Sequence, residues 1–241
     1  MENKNEWIIS SAKNTHTFSE VDRKFLPNVL SFMGFGLLLT GFLAYTFGTN
    51  PFFTQLLISA QGGYTIFGYL ALFGPLIIGL TMSFAYEKMS TTALFLLFTL
   101  YAALVGSSFG VLFLVYDSMV IVKSLTATAI TFGVMAVMGY TTNTDLTKMG
   151  SILNMMLIGI LIASLVNFFT KSSGLDYIIS IFGVIIFTGL TAYDMQQIKL
   201  IGQSSYADKS KVAIMGALKL YLDFINLFIF MLRIFGGRRE N

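Results

Sequence analysis

Residues 177–197 read YIISIFGVIIFTGLTAYDMQQ: seventeen residues without a formal charge, then Asp194, then Met195 and two amides. A run of this length matches the ~20 residues needed to cross about 30 Å of hydrocarbon, so it reads as a membrane helix that carries an acid near one end. A second acid, Asp223, stands in the equally apolar Leu220-Tyr221-Leu222-Asp223-Phe224. A carboxylate in hydrocarbon costs roughly 2.5–3.5 kcal/mol even on insertion scales, so two of them persist by sharing a proton, a cation or water.

The rest of the chain agrees with a bilayer as solvent. Of 241 residues 55% are hydrophobic and 11% charged, and the mean hydropathy is +0.76; a soluble domain carries about 25% charged residues. The net charge of +3 is spread over termini and connections rather than gathered in a stripe, which argues against nucleic acid as a partner. With no cysteine, disulfides, thiolate metal sites and cysteine nucleophiles are excluded. The first 25 residues are polar and lack the apolar core of a signal peptide, so the first membrane segment is expected to be retained.

Apolar windows of helical length fall at about 26–48, 63–86, 92–115, 119–140, 151–170 and 177–197, with a last one inside 212–235. The expectation is an all-α membrane protein of seven transmembrane helices over residues 26–235, between a polar N-terminal tail (1–25) and a short basic C-terminal tail (236–241). In the third segment Ala102, Gly106 and Gly110 recur every four residues, read here as ordinary close helix packing. Lys4, Lys13, Arg23, Lys24, Lys88, Lys148, Lys199, Lys209 and Lys211 fall on one side, against Lys123 and Lys171 in the opposite loops. The positive-inside bias places the first set, and the N-terminus, in the cytosol. Seven full spans put Arg238 and Arg239 outside, so either the last helix is forced across by its neighbours or it does not fully cross.

Asp194 precedes Lys199 by five residues, which sets it within about 8 Å of the cytosolic boundary. A last helix that starts near Lys219 brings Asp223 to about 6 Å; a start at Val212 buries it about 16 Å deep. The first choice matches the two depths and leaves a short helix suited to the middle of a bundle. At about 100° per residue, Lys219, Asp223, Asn226 and Arg233 share one face, and Gln197 follows Asp194 by three residues on the other helix. Two facing carboxylates titrate as one coupled unit, which gives a membrane site a response to pH near neutrality. The alternatives are an i,i+4 pair of Asp223 with Lys219 and a water-exposed Asp194.

Four stretches, Gly139-Tyr140-Thr141-Thr142-Asn143-Thr144-Asp145-Leu146, Ile162-Ala163-Ser164-Leu165-Val166-Asn167, Thr191-Ala192-Tyr193-Asp194 and Leu220-Tyr221-Leu222-Asp223-Phe224-Ile225-Asn226-Leu227-Phe228, together resemble the Bax inhibitor-type (transmembrane Bax inhibitor motif) family. The resemblance covers most of residues 20–235. It implies six helices around a central C-terminal one, passive and pH-dependent calcium conduction, and a paired-acid site at Asp194 and Asp223. Some relatives latch that pair with an arginine on the second helix; here the nearest basic residue is Lys88. The short polar N-terminus fits the bacterial branch, with a multi-pass location in the inner membrane.

Three functions are open to such a chain. The first is a calcium leak gated by protonation of Asp194 and Asp223, which bind the ion weakly and transiently with help from Asn226, Gln197 and water; calcium takes roughly six to eight oxygens, and conduction requires weak sites. It needs no cofactor, and its partners are the lipid bilayer and calcium ions. The second, which the resemblance also implies, is a non-conducting regulator of stress and cell death or of a membrane protease, whose polar tail engages cytosolic or membrane-protein partners; His16 and Trp7 there read as a solvated residue and an interfacial anchor. The third is an intramembrane aspartyl protease, which also pairs two aspartates on its sixth and seventh helices. That signature demands Gly-x-Gly-Asp where this chain has Leu220-Tyr221-Leu222-Asp223, and Pro27, Pro51 and Pro75 all lie far from the pair, so no enzyme activity is expected.

Overall fold

In the computed structural model residues 4–203 and 208–236 are described, with side chains from Lys24 onward. The side chains of Trp7, His16 and Arg23, and residues Ser204, Ser205, Arg238 and Arg239, lie outside that description.

Backbone groups in hydrocarbon have no water to bond, so each apolar window becomes a helix that satisfies its own amides. The elements in chain order are α1 (Lys4–Thr49), α2 (Pro51–Leu57), α3 (Ile66–Ala85) with a 3₁₀ turn at Tyr86–Lys88, α4 (Thr91–Phe109), α5 (Leu112–Val115), α6 (Ser118–Thr141), α7 (Thr147–Thr170), α8 (Ser173–Gly202) and α9 (Lys209–Gly236). Seven stretches are long and apolar enough to cross a membrane: 24–49 of α1, α3 with its turn, α4–α5, α6, α7, α8 and α9. Polar side chains inside them turn inward on their own backbone. Thr46, Thr81, Thr99, Thr126, Thr128 and Thr191 each donate to the carbonyl four residues back at 2.7–2.8 Å.

The residues read as a polar tail continue the helix of the first span as one 46-residue element. Between the first two spans the chain makes an unforeseen short helix, α2, whose first turn is capped by Asn50 and opened by Pro51. It returns through Gly62 and Gly63, both at positive φ, where glycine avoids the Cβ penalty. Helix starts elsewhere use side-chain caps: Thr65, Ser90 and Ser172 accept from the amides of Gly68, Ala93 and Leu175.

Two helices differ from their expected bounds in ways that matter. The third span breaks at Gly110, where a side chain would meet Phe47 and Gly48 of α1. Gly106 likewise lies against the Thr40 backbone, so the Ala102/Gly106/Gly110 repeat is the packing seam expected of it. The last helix starts at Lys209, ten residues before the start that matched the two aspartate depths. Its first turns project past the acid site and form a wall, as described below.

The last helix α9 has the most buried membrane window, 56% against 11% for α7. It packs against α8, α6, α1 and α4, while α3 lies chiefly on α4 and α7 chiefly on α8. Tyr221 of α9 is fully buried, with its ring edge-on to Phe98 and Tyr101 and its hydroxyl 2.6 Å from Thr40 Oγ1. Thr40 in turn donates to the Ala102 carbonyl at 3.0 Å, so one short network joins α1, α4 and α9. The phenylalanines of α9 are packing surfaces, pairing with Phe132, Phe109 and Phe187.

Candidate functional site

The acid site is built where α8 and α9 run side by side. Asp194 and Asp223 are 2% and 4% exposed. Their carboxyls lie within hydrogen-bonding reach of one another. Two carboxylates cannot share such a contact fully ionised, so it requires a proton or a cation. One atom, Asp223 Oδ2, is buried with no hydrogen-bond partner among the described residues.

The counter-charge is Lys219. Its Nζ lies 2.6 Å from Asp194 Oδ1 without an aligned hydrogen bond, which makes the contact an ion pair. The ammonium also stands 5.2 Å from the centre of the Tyr193 ring, within cation–π range. Lys219 therefore reaches across to the neighbouring helix rather than closing an i,i+4 pair with Asp223. Its side chain is 51% exposed, so one end of the ion pair meets water while the other is enclosed.

Above Asp194 lies a cavity of about 630 Å³. Asp194, Gln197 and Ile198 of α8 line one side; Lys211, Met215, Lys219 and Leu222 of α9 line another; Phe25, Tyr86 and Glu87 complete it. The early start of α9 makes this possible. Asp208 caps that start by accepting from the Lys211 amide at 3.1 Å, and its other oxygen is 3.8 Å from the Lys211 ammonium.

Of the residues singled out from sequence, Asp194, Asp223 and Lys219 come together, and Gln197 joins them at the cavity wall. Asn226 does not: its amide donates to its own helix, at the Leu222 carbonyl, 2.8 Å away. Arg233, on the same expected stripe, lies 3.5 Å from Asp176 in the first turn of α8. Lys88 is exposed and off the cavity wall, so it makes no second-helix latch. Among the described residues no group of three His, Cys, Asp or Glu side chains that could hold a metal ion forms.

The residue sequence reasoning missed is Gln196. Its Nε2 donates to the Thr144 carbonyl at 2.7 Å and its Oε1 accepts from the Leu146 amide at 2.9 Å. Lys199 adds a bond to the Tyr140 carbonyl at 2.8 Å. The Gly139–Leu146 motif is thus a clamp that ties the α6–α7 turn to α8, with Gly139 pressed against the Ala192 backbone two residues before Asp194. The signal was available in a polar turn, Thr142-Asn143-Thr144, opposite a glutamine pair.

The family profile described as "Inhibitor of apoptosis-promoting Bax1" matches residues 22–240. The chain belongs to this Bax inhibitor-like family. Inner membrane protein YbhL of Escherichia coli is 40% identical over 219 residues, covering 89% of this chain and 92% of that one. An uncharacterized protein of Borreliella burgdorferi is 44% identical over 224 residues, 92% and 95% of the two chains. The Rickettsia prowazekii protein RP147, also uncharacterized, is 39% identical over 236 residues, 97% of each. Each member of this set spans nearly the whole chain, and with the seven spans it makes the protein an integral, multi-pass membrane protein of the family.

Proposed function

We propose that the protein is a pH-responsive, calcium-permeable leak of the bacterial inner membrane, gated at Asp194 and Asp223. One observation carries this reading: two buried carboxyls in contact across α8 and α9, beside a cavity at the lysine-rich end of the bundle. Lys219 acts in it as a tethered cation that holds Asp194 when no ion is present. Protonation removes the charge that both Lys219 and a permeating cation require, so the α8–α9 contact and the flux change together with pH. The pair binds calcium weakly because it offers few oxygens, and a site that passes ions has to release them. No cofactor and no peptide-bond cleavage belong to this reading.

Calcium flux into proteoliposomes holding only the purified protein is the test, read between about pH 5 and 8. Wild type should show a pH-dependent flux. Asp194→Asn and Asp223→Asn should each lose most of the pH response, and the double variant should add little, since coupled groups are not additive. An unchanged pH profile in both single variants, with helical content intact, removes the gate. No flux at all in wild type leaves the regulatory reading, which the family description favours.

A further inference from the structure

The cavity beside Asp194 contains a bound ammonium already, supplied by the protein. Lys219 Nζ is held between a carboxylate oxygen at 2.6 Å and an aromatic face at 5.2 Å. A carboxylate with an aromatic ring is the arrangement that recognises organic cations. The tether is a half-exposed side chain, so it can leave without disturbing the core. Asp194 cannot leave: it is 2% exposed on a well-packed helix.

The space above the ammonium suits a larger guest. At about 630 Å³ the cavity falls within the range of roughly 300–1,000 Å³ typical of small-molecule sites. Its walls are mostly apolar, with Phe25, Ile198, Val212, Met215 and Leu222 among them. Its acids (Asp194, Glu87, Asp208) exceed its lysines (Lys211, Lys219) by one. A guest that balances it carries one positive charge on an apolar body.

We propose that this cavity binds amphipathic organic monocations, with a primary ammonium that replaces Lys219 on Asp194 and an apolar body against Met215, Ile198 and Leu222. The site is distinct in kind from a calcium path, since it needs apolar walls that a metal ion does not use. It rests on the cavity and the ion pair, so it stands or falls separately from the leak.

Equilibrium dialysis of radiolabelled 4-phenylbutylamine against the protein in nanodiscs, with empty nanodiscs as the reference for partitioning, reads the binding directly. Wild type should show saturable uptake, competed by unlabelled amine and not by 4-phenylbutanol or 4-phenylbutyrate. Lys219→Met removes the tethered competitor and should tighten binding by about tenfold or more. Asp194→Asn removes the anchor and should weaken it by about tenfold or more. Met215→Trp fills the cavity without changing charge and should abolish uptake, which covers the case of Asp194→Asn failing to fold. Uptake no greater than in empty nanodiscs for both wild type and Lys219→Met overturns the proposal. So does saturable uptake that survives Met215→Trp unchanged. Calcium flux plays no part in the readout, so a protein that conducts nothing can still pass this test.

Discussion

A single hydroxyl shows what one residue contributes here. Tyr221 is fully buried, and its hydroxyl shares a hydrogen bond with Thr40 while Thr40 bonds the Ala102 carbonyl. Tyr221→Phe leaves Thr40 its carbonyl partner, so only one bond is lost, and the cost should be about 1 kcal/mol. Thr40→Val strands the phenol and should cost more; thermal unfolding in detergent orders the two, and equal losses would dissolve the network. Asp145, outside the membrane segments, is a contrasting case. Hydrogen bonds from Thr147, aided by Lys148, hold its exposed carboxyl below the usual carboxylate range. A depressed value means its contribution is present above the ordinary carboxylate pKa of about 3.9 and lost as pH falls through the lower one. Asp145→Asn should therefore lower stability by a constant amount between about pH 5 and 8, a difference from wild type that disappears in acid, which a pH series of melting temperatures checks. The active-acid question is tested at this scale too. Purified protein should cleave no membrane-helix substrate, and cleavage lost in Asp194→Asn would establish a protease instead.

Between elements, the informative residues are glycines, because their surroundings differ so sharply. A side chain at Gly139 meets the Ala192 backbone, whereas one at Gly133 or Gly159 meets nothing within 4 Å. Backbone cannot move aside as a side chain tip can, so Gly139→Ala should force α6 and α8 apart and cost well over 1 kcal/mol. Gly159→Ala should be neutral or stabilising by up to about 1 kcal/mol, the helix-propensity gain. Detergent melting temperatures for the pair supply the comparison; a Gly139→Ala protein as stable as Gly159→Ala would mean that the seam is slack. Helix existence and the acid pair were legible because hydrocarbon imposes both: apolar length forces helices, and charge there demands a partner. The α2 helix, the break at Gly110 and the clamp of Gln196 on the α6–α7 turn were not, since each depends on which helix lies alongside. Asn226 misled for the same reason: its helical face was read correctly, yet its amide bonds its own backbone.

For the whole molecule, the open variable is orientation. Lysines crowd one end: Lys24 at the start of the first span, Lys88, Lys148, Lys199, Lys209 and Lys211 at connections on that side, against Lys123 and Lys171 opposite. Juxtamembrane positive charge is retained in the cytosol during insertion, so the crowded end, with the cavity above Asp194, should face the cytosol. That places the proposed ion and amine sites where cytosolic pH and cytosolic solutes reach them first. An odd number of spans carries the end of α9 to the other side, where Arg233 and Asp176 lie 3.5 Å apart. This pair ties the end of α9 to the first turn of α8. The helix is held by α1, α4, α6 and α8 around it and by an acid that meets its arginine at the far end. The chain has no cysteine, so single substitutions report their side without any background. Lys148→Cys and Lys211→Cys should resist a membrane-impermeant maleimide in intact cells and react after lysis, whereas Lys171→Cys should react in both. Labelling of the Lys211→Cys protein in intact cells would turn the bundle over, and the acid site would then sample periplasmic rather than cytosolic pH.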